Sequence, residues 1–512
     1  MSRPIRMGTA AAVVAGSVLL SRILGLGRDA LLAGLIGAGS EADLYFDSFF
    51  IPDILNYFVA GAYLTITLVP ILSRHIESGD NEGASRAFTS VFRFVALAIV
   101  ALTISMWLFA GPLVDLIFPR VAETERLVGL TRLVLPAQVF LVLGALLMAV
   151  QYTHKRFIIP AAAPLIYNLG IIAGGLVGWA MGDPSPESFL IGAVAGAAIG
   201  NFGLQWIGAR KTGTWFLRPR RGEGSVGEYL VLAIPLMVGQ SVAVLDEQFV
   251  RIFGQVQEGA TAALSYARRL NMVPVGVIAQ AAGVAAFPFL ASLAARGAND
   301  ELVETTGRAA RKTLFVAAAA TAGLVVLARP MVRLIYEYGA FSGADADLVT
   351  TLLTIYAFSI PAWGMHQLLV RHFYAKRKMW TPVLIGTLFT VIAIPVWLGL
   401  YNVWGVEGFA LASTLVMIGY AGGMLLAWGR DSGWAAVRKL APAFLRSMVS
   451  ATVAGAMGWL VVNALLGDGP VSVGVALVVA AVGGITAMAA FLGVSILFRS
   501  PEMGEVLPKL RR

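Results

Sequence analysis

The chain has 512 residues, 58% of them hydrophobic and 13% charged, about half the charged share of an ordinary soluble domain. No soluble core absorbs that much apolar surface, and no stretch between apolar segments is long enough to fold alone, which excludes a soluble domain carried on a single anchor. The net charge of +9 raises nucleic acid as a partner, but the basic residues lie in short loops that membrane topology explains better.

With about 20 apolar residues needed per span, roughly fourteen segments follow in order, giving an all-α polytopic membrane protein. The spans fall at 8–34, 43–71, 90–117, 127–152, 159–181, 187–209, 229–254, 262–292, 309–336, 346–374, 381–401, 407–429, 442–466 and 471–498. The first follows two arginines but lacks a convincing cleavage pattern, so it reads as a membrane helix rather than a removed signal.

Every second loop is basic. These loops hold Arg74 and Arg86; Lys155 and Arg156; Arg210 to Arg221; Arg296 to Lys312; Lys376 to Lys378; and Arg430 to Lys439. The intervening loops, such as 182–187, 257–259 and 343–347, are nearly free of lysine. The positive-inside rule then puts both termini in the cytoplasm.

The chain repeats itself. Tyr152-Thr-His-Lys155-Arg156-Phe-Ile-Ile-Pro160 returns 222 positions later as Tyr374-Ala-Lys-Arg377-Lys378-Met-Trp-Thr-Pro382. Pro70-Ile-Leu followed by Gly79-Asp-Asn81 returns 218 positions later as Pro288-Phe-Leu followed by Gly297-Ala-Asn299. Parallel six-helix halves are expected at 1–221 and 222–430, with two extra helices and a basic tail in 431–512.

Chemistry is confined to ionisable residues at membrane depth. There is no cysteine, and of four histidines three (His75, His154, His372) lie beside basic loop residues, so neither a metal site nor a cofactor is expected. No GxxxxGK[ST] loop is present for a nucleotide, and no acidic or histidine cluster in a polar loop points to an enzyme. Instead Arg22, Arg28 and Asp29 stand in or just after the first segment and Asp43, Asp47 and Asp53 along the second. Asp246, Glu247 and Arg251 fall in the seventh, and Arg268 and Arg269 early in the eighth. At a helix centre each charge costs about 2.5–3.5 kcal/mol, so the group implies a wet or mutually paired interior. For any single residue a structural role, arginine locked to aspartate, weighs as much as a functional one. For the group, arginines arriving from both halves describe a cationic cavity suited to a phosphate group.

Ser21-Arg22-Ile-Leu-Gly25-Leu-Gly-Arg28-Asp29, followed by Gly37-Ala-Gly39 and Ala42-Asp43, resembles the MurJ (MviN) lipid II flippase family, of the multidrug/oligosaccharidyl-lipid/polysaccharide exporter superfamily. Tyr266-Ala-Arg268-Arg269-Leu270 leading to Pro274 extends the likeness. The resemblance implies alternating-access transport of undecaprenyl-pyrophosphate-linked peptidoglycan precursor across the bacterial inner membrane. Arg22, Arg28 and Arg269 would be cavity arginines, Asp43 a functional aspartate, and helices thirteen and fourteen would form an apolar groove for the lipid tail. The chain departs from the family pattern at Asn56, where many members carry arginine, and at Arg268; both then count among the substrate-binding candidates. Asp47, Asp246, Glu247 and Arg251 are candidates for cation binding or pairing. A flippase for another polyprenyl-linked glycan, a drug exporter and a non-transporting scaffold are the alternative readings.

Overall fold

A computed structural model describes residues 7–59, 63–212, 226–238, 242–279, 286–466 and 473–506. Arg218, Arg220 and Arg221 and the 221/222 boundary lie outside them. Every expected segment has a helical counterpart. Among the described residues eight helices are long and apolar enough to cross a membrane. The pair Gly343–Ala357 and Ile360–Ala375, bent by 42°, makes a ninth if it counts as one span.

The charges of the first helix, Met7–Ile36, fall in its second half, at Arg22, Arg28 and Asp29. The expected span 43–71 breaks at Phe49, between Ser40–Ser48 and Phe50–Val59. In 380–432 two expected spans run on as one helical stretch divided only at Gly405, whose φ of 58° and ψ of −133° turn the chain. A Cβ at Gly408 would strike the Leu400 carbonyl oxygen, so the turn is closed by backbone. Leu97, Leu116, Trp179, Met181, Leu384, Ile485 and Leu497 lie exposed, an apolar exterior that only lipid tolerates on this scale.

The chain divides into two compact units, one of Met1–Gln240 with Gly254–Ala262 and Gly339–Phe341, the other of Ser241–Phe253, Ala263–Tyr338 and Ser342–Arg512. In the first unit the helices Ile158–Ala180 and Pro186–Gly196 meet through glycines. A Cβ on Gly170 would come within 2.6 Å of the Gly192 carbonyl oxygen, and one on Gly196 within 2.9 Å of that of Tyr167. Close approach through small residues four apart is how membrane helices gain packing without a hydrophobic drive. A π-helical turn follows at Ala197–Gly203, and the buried Gln205 side chain donates to the Gly200 carbonyl there at 3.1 Å.

In the second unit the last two long helices, Ala441–Leu466 and Val473–Leu497, pack on the helix Asn299–Ile335. Phe315 and Phe491 meet edge-on at 5.0 Å, and Gly458 and Gly483 close on Val326.

Each unit carries the same pair of backbone caps. Lys155 and Arg377, 222 positions apart, both adopt φ of 57°, unusual for residues with a side chain. Around them Arg156 N donates to Gln151 O (2.8 Å) and Lys378 N to Phe373 O (2.9 Å). At the second matched motif Gly79 and Gly297 have φ of 77° and 71°, followed by Asp80 N to His75 O (2.8 Å) and Ala298 N to Leu293 O (3.1 Å). The repeat is thus one of conformation as well as of letters.

Candidate functional site

The first helix places Arg28 and Asp29 side by side in a buried setting, 8% and 1% exposed. Arg28 donates from Nε (2.9 Å) and Nη2 (2.7 Å) to Asp29 Oδ1, and from Nη1 to Asn168 Oδ1 at 3.1 Å. The Asn168 amide is in turn oriented through its Nδ2, which donates to Pro164 O (3.0 Å) and Ser21 Oγ (3.3 Å). Three of the five guanidinium N–H groups are thereby used. Arg22, six residues earlier, is exposed on the same helix.

Asp43 sits in Ser40–Ser48 and accepts from the backbone N–H groups of Gly259 (2.6 Å) and Ala262 (2.8 Å), the start of the helix Ala260–Ala279. A carboxylate there satisfies orphan donors and complements the positive end of the helix dipole. Gly259 has φ of 78°, and a Cβ on it would run into the Ala38 carbonyl oxygen. Asp47 is buried one turn further on. Asn56 donates to Gln138 Oε1 at 2.8 Å, a neutral amide pair.

The second unit holds the other candidates. Arg251, 7% exposed, donates to Gln248 Oε1 (3.3 Å) and stands 3.9 Å from Glu247. Asp246 belongs to the same helix, Val242–Gly254, but its side chain lies outside the described residues. On Ala260–Ala279, Arg269 is exposed and Arg268 half-buried against Asn271, Tyr356 and Trp397.

The expected apolar groove has a counterpart of about 360 Å³, walled by Thr321, Phe358, Met448, Ala451, Gly455 and Trp459. The walls come from Asn299–Ile335, the bend at 358–361 and Ala441–Leu466. Val473–Leu497, expected as the other wall, contributes nothing, because Gly483 and Phe491 commit it to packing on Val326 and Phe315.

Two clusters escaped the sequence reading. Arg126 forks onto Glu41 (2.5 and 2.7 Å) and Glu187 (3.0 and 3.2 Å), with Glu123 at 3.3 Å. An arginine beside Glu123 and Glu125 was the available signal. Asp431 joins Lys376 (2.6 Å) and Lys378, with the buried His372 Nε2 at 3.6 Å.

Comparison with known proteins agrees with this architecture. The sequence model of the family Lipid II flippase MurJ matches residues 32–479. A probable lipid II flippase MurJ of Rhizobium meliloti (strain 1021) is 27% identical over 441 residues, 82% of this chain and 81% of the relative. The lipid II flippase MurJ of Burkholderia cenocepacia is 27% identical over 384 residues, 73% and 74% of the two chains. Among solved structures, a lipid II flippase MurJ in an inward closed conformation superposes with a TM-score of 0.77 at 24% identity, covering 95% of this chain and 99% of that one. An inward-facing multidrug resistance MATE family transporter of the MOP superfamily superposes with a TM-score of 0.65 at 15% identity, over 82% and 96%; both superpositions speak to fold. With the family model matched over most of its length, this multi-pass membrane protein belongs to the MurJ lipid II flippase family.

Proposed function

We propose that the chain is a transporter that moves lipid II, a lipid-linked pyrophosphoryl saccharide, from the cytoplasmic to the outer leaflet of the bacterial inner membrane by alternating access. The family match over residues 32–479 carries this reading. Arg22, Arg28 and Arg269 are candidate groups for phosphate oxygens, a geometry that each guanidinium matches with a two-pronged fork. Arg28 suits the role because Asp29 and Asn168 fix its plane while two N–H groups are left for a ligand. The lipid tail takes the groove beside Ala441–Leu466, whose walls are apolar. Asp43 serves the site by shaping the turn at Gly259. The alternation of basic loops supports cytoplasmic termini, and the paired caps at Lys155 and Arg377 support two repeated halves at 1–221 and 222–430 followed by 431–512.

The test is transport of labelled lipid II by the purified protein in sealed vesicles, with and without a membrane potential. Accumulation in the far leaflet is expected. Movement of another polyprenyl-linked glycan with none of lipid II would replace the substrate assignment.

A further inference from the structure

Within the second unit a cavity of about 30 Å³ is lined by Arg268, Asn271, Tyr356, Ser359, Trp397 and Ser413, among others. This is close to the volume of one water molecule in the liquid, or of one hydroxyl group. Its polar atoms form a donor and acceptor set. Asn271, 1% exposed, donates through Nδ2 to Ser359 Oγ at 3.3 Å, and Ser359 passes its own hydrogen to the Tyr356 carbonyl at 2.7 Å. The other end of the amide, Asn271 Oδ1, is buried with no hydrogen-bond partner among the described residues. Native interiors seldom leave such an acceptor unmatched unless something else completes it. Across the cavity Ser413 Oγ accepts from Trp397 Nε1 at 3.0 Å, which turns the serine O–H into a donor for another group.

No carboxylate lines the cavity and Arg268 does, so a cation is a poor occupant. A group that donates to Asn271 Oδ1 and accepts from Ser413 is a water or a hydroxyl, and lipid II supplies the hydroxyl that takes the water's place. With the Tyr356 and Trp397 rings 4% and 0% exposed, the space admits one hydroxyl projecting from a sugar and not the sugar ring itself. Arg268 adds a charge for a phosphate linked to that sugar. We infer that this cavity is a subsite for a hydroxyl of the saccharide portion of the transported head group, with Asn271 and Ser413 as the specificity-determining residues. The inference rests on the flippase reading above.

The test uses the full-length protein in lipid nanodiscs and two probes, lipid II and undecaprenyl pyrophosphate, which shares the lipid and pyrophosphate but lacks the sugar. Affinities are measured for the wild type, Asn271→Leu and Ser413→Ala. Asn271→Leu is expected to weaken lipid II about tenfold, in keeping with loss of a site's paired polar group, and Ser413→Ala about threefold. Both should leave undecaprenyl pyrophosphate within about twofold, since no phosphate contact changes. Unchanged lipid II affinity in the variants, or an equal loss for both probes, overturns the subsite while leaving the flippase reading standing. Failure of the wild type to bind either probe overturns that reading and the subsite with it. Ser413→Ala removes a single oxygen and carries the test if Asn271→Leu does not fold.

Discussion

Replacing Asp29 by asparagine keeps the side-chain shape and an oxygen for Arg28 to bond, but removes the charge that balances a guanidinium only 8% exposed. Both Arg28 bonds of 2.7 and 2.9 Å end on a single oxygen, Asp29 Oδ1, so the geometry survives while the electrostatics do not. Breaking a buried pair from one side costs about 3–5 kcal/mol, because a buried charge is left uncompensated. At roughly 2–4 °C per kcal/mol for a unit of this size, the unfolding midpoint should fall by roughly 6–20 °C. The assay is thermal unfolding in detergent, followed by tryptophan fluorescence and by retention on size exclusion. Removing both charges in Arg28→Met with Asp29→Leu should recover much of the loss, as replacing a whole buried pair commonly does. A single-variant drop under about 2 °C would refute the reasoning, since that is how a solvated pair worth about 0–1 kcal/mol behaves.

Three further outcomes are expected. Asp43→Ala removes the acceptor for Gly259 and Ala262, at a cost of about 0.5–2 kcal/mol for a lost cap, and should speed hydrogen exchange at those two amides; unchanged exchange would show that the carboxylate does not hold them. Gly192→Leu places a side chain against the Gly170 backbone and should destabilise the first unit by about 1–3 kcal/mol or more, whereas a wild-type melting profile would mean the helix pair is looser than its glycines imply. The Gly83 N–H (2.7 Å) and, next, His75 (3.0 Å) hold the Asp80 carboxyl below its ordinary value. Its stabilising contribution is therefore complete above that ordinary value and is lost as the pH falls through the lower folded one. Asp80→Ala should flatten this acid limb of a stability profile, and a limb of unaltered slope would assign the loss to other groups.

The membrane class and the positions of the helices were legible because hydropathy and loop charge act locally along the chain. So was the likeness of one matched motif, since Tyr152 to Pro160 and Tyr374 to Pro382 encode the same helix cap, down to a basic residue at positive φ. The breaks were not legible. Nothing in 43–71 foretells the break at Phe49, because tertiary contacts rather than propensity decide where such a segment bends. At the site, Arg28 and Asp29 could be paired from adjacency alone. Asn168 could not be foreseen at 140 residues' distance, nor the Asp43 partners at 216 and 219. Asn56 looked like a missing charge, and only the fold reveals the amide of Gln138 that it answers.

The first unit is not finished when its first 240 residues are. Gly254–Ala262 and Gly339–Phe341 belong to it: Ala340 N bonds the Gly34 carbonyl at 2.9 Å, and Gly37 has the Ala340 carbonyl so near that a Cβ there would lie 2.8 Å from it. During synthesis at about 5–20 residues per second, the turn at 34–43 therefore waits about 15–60 s for its last neighbours to leave the ribosome. Until Gly259 and Ala262 are made, the Asp43 carboxylate lacks the two backbone donors it accepts from in the finished fold. A gene fragment ending near residue 240 would freeze the protein in that interval. Splitting the chain beyond residue 341 would not.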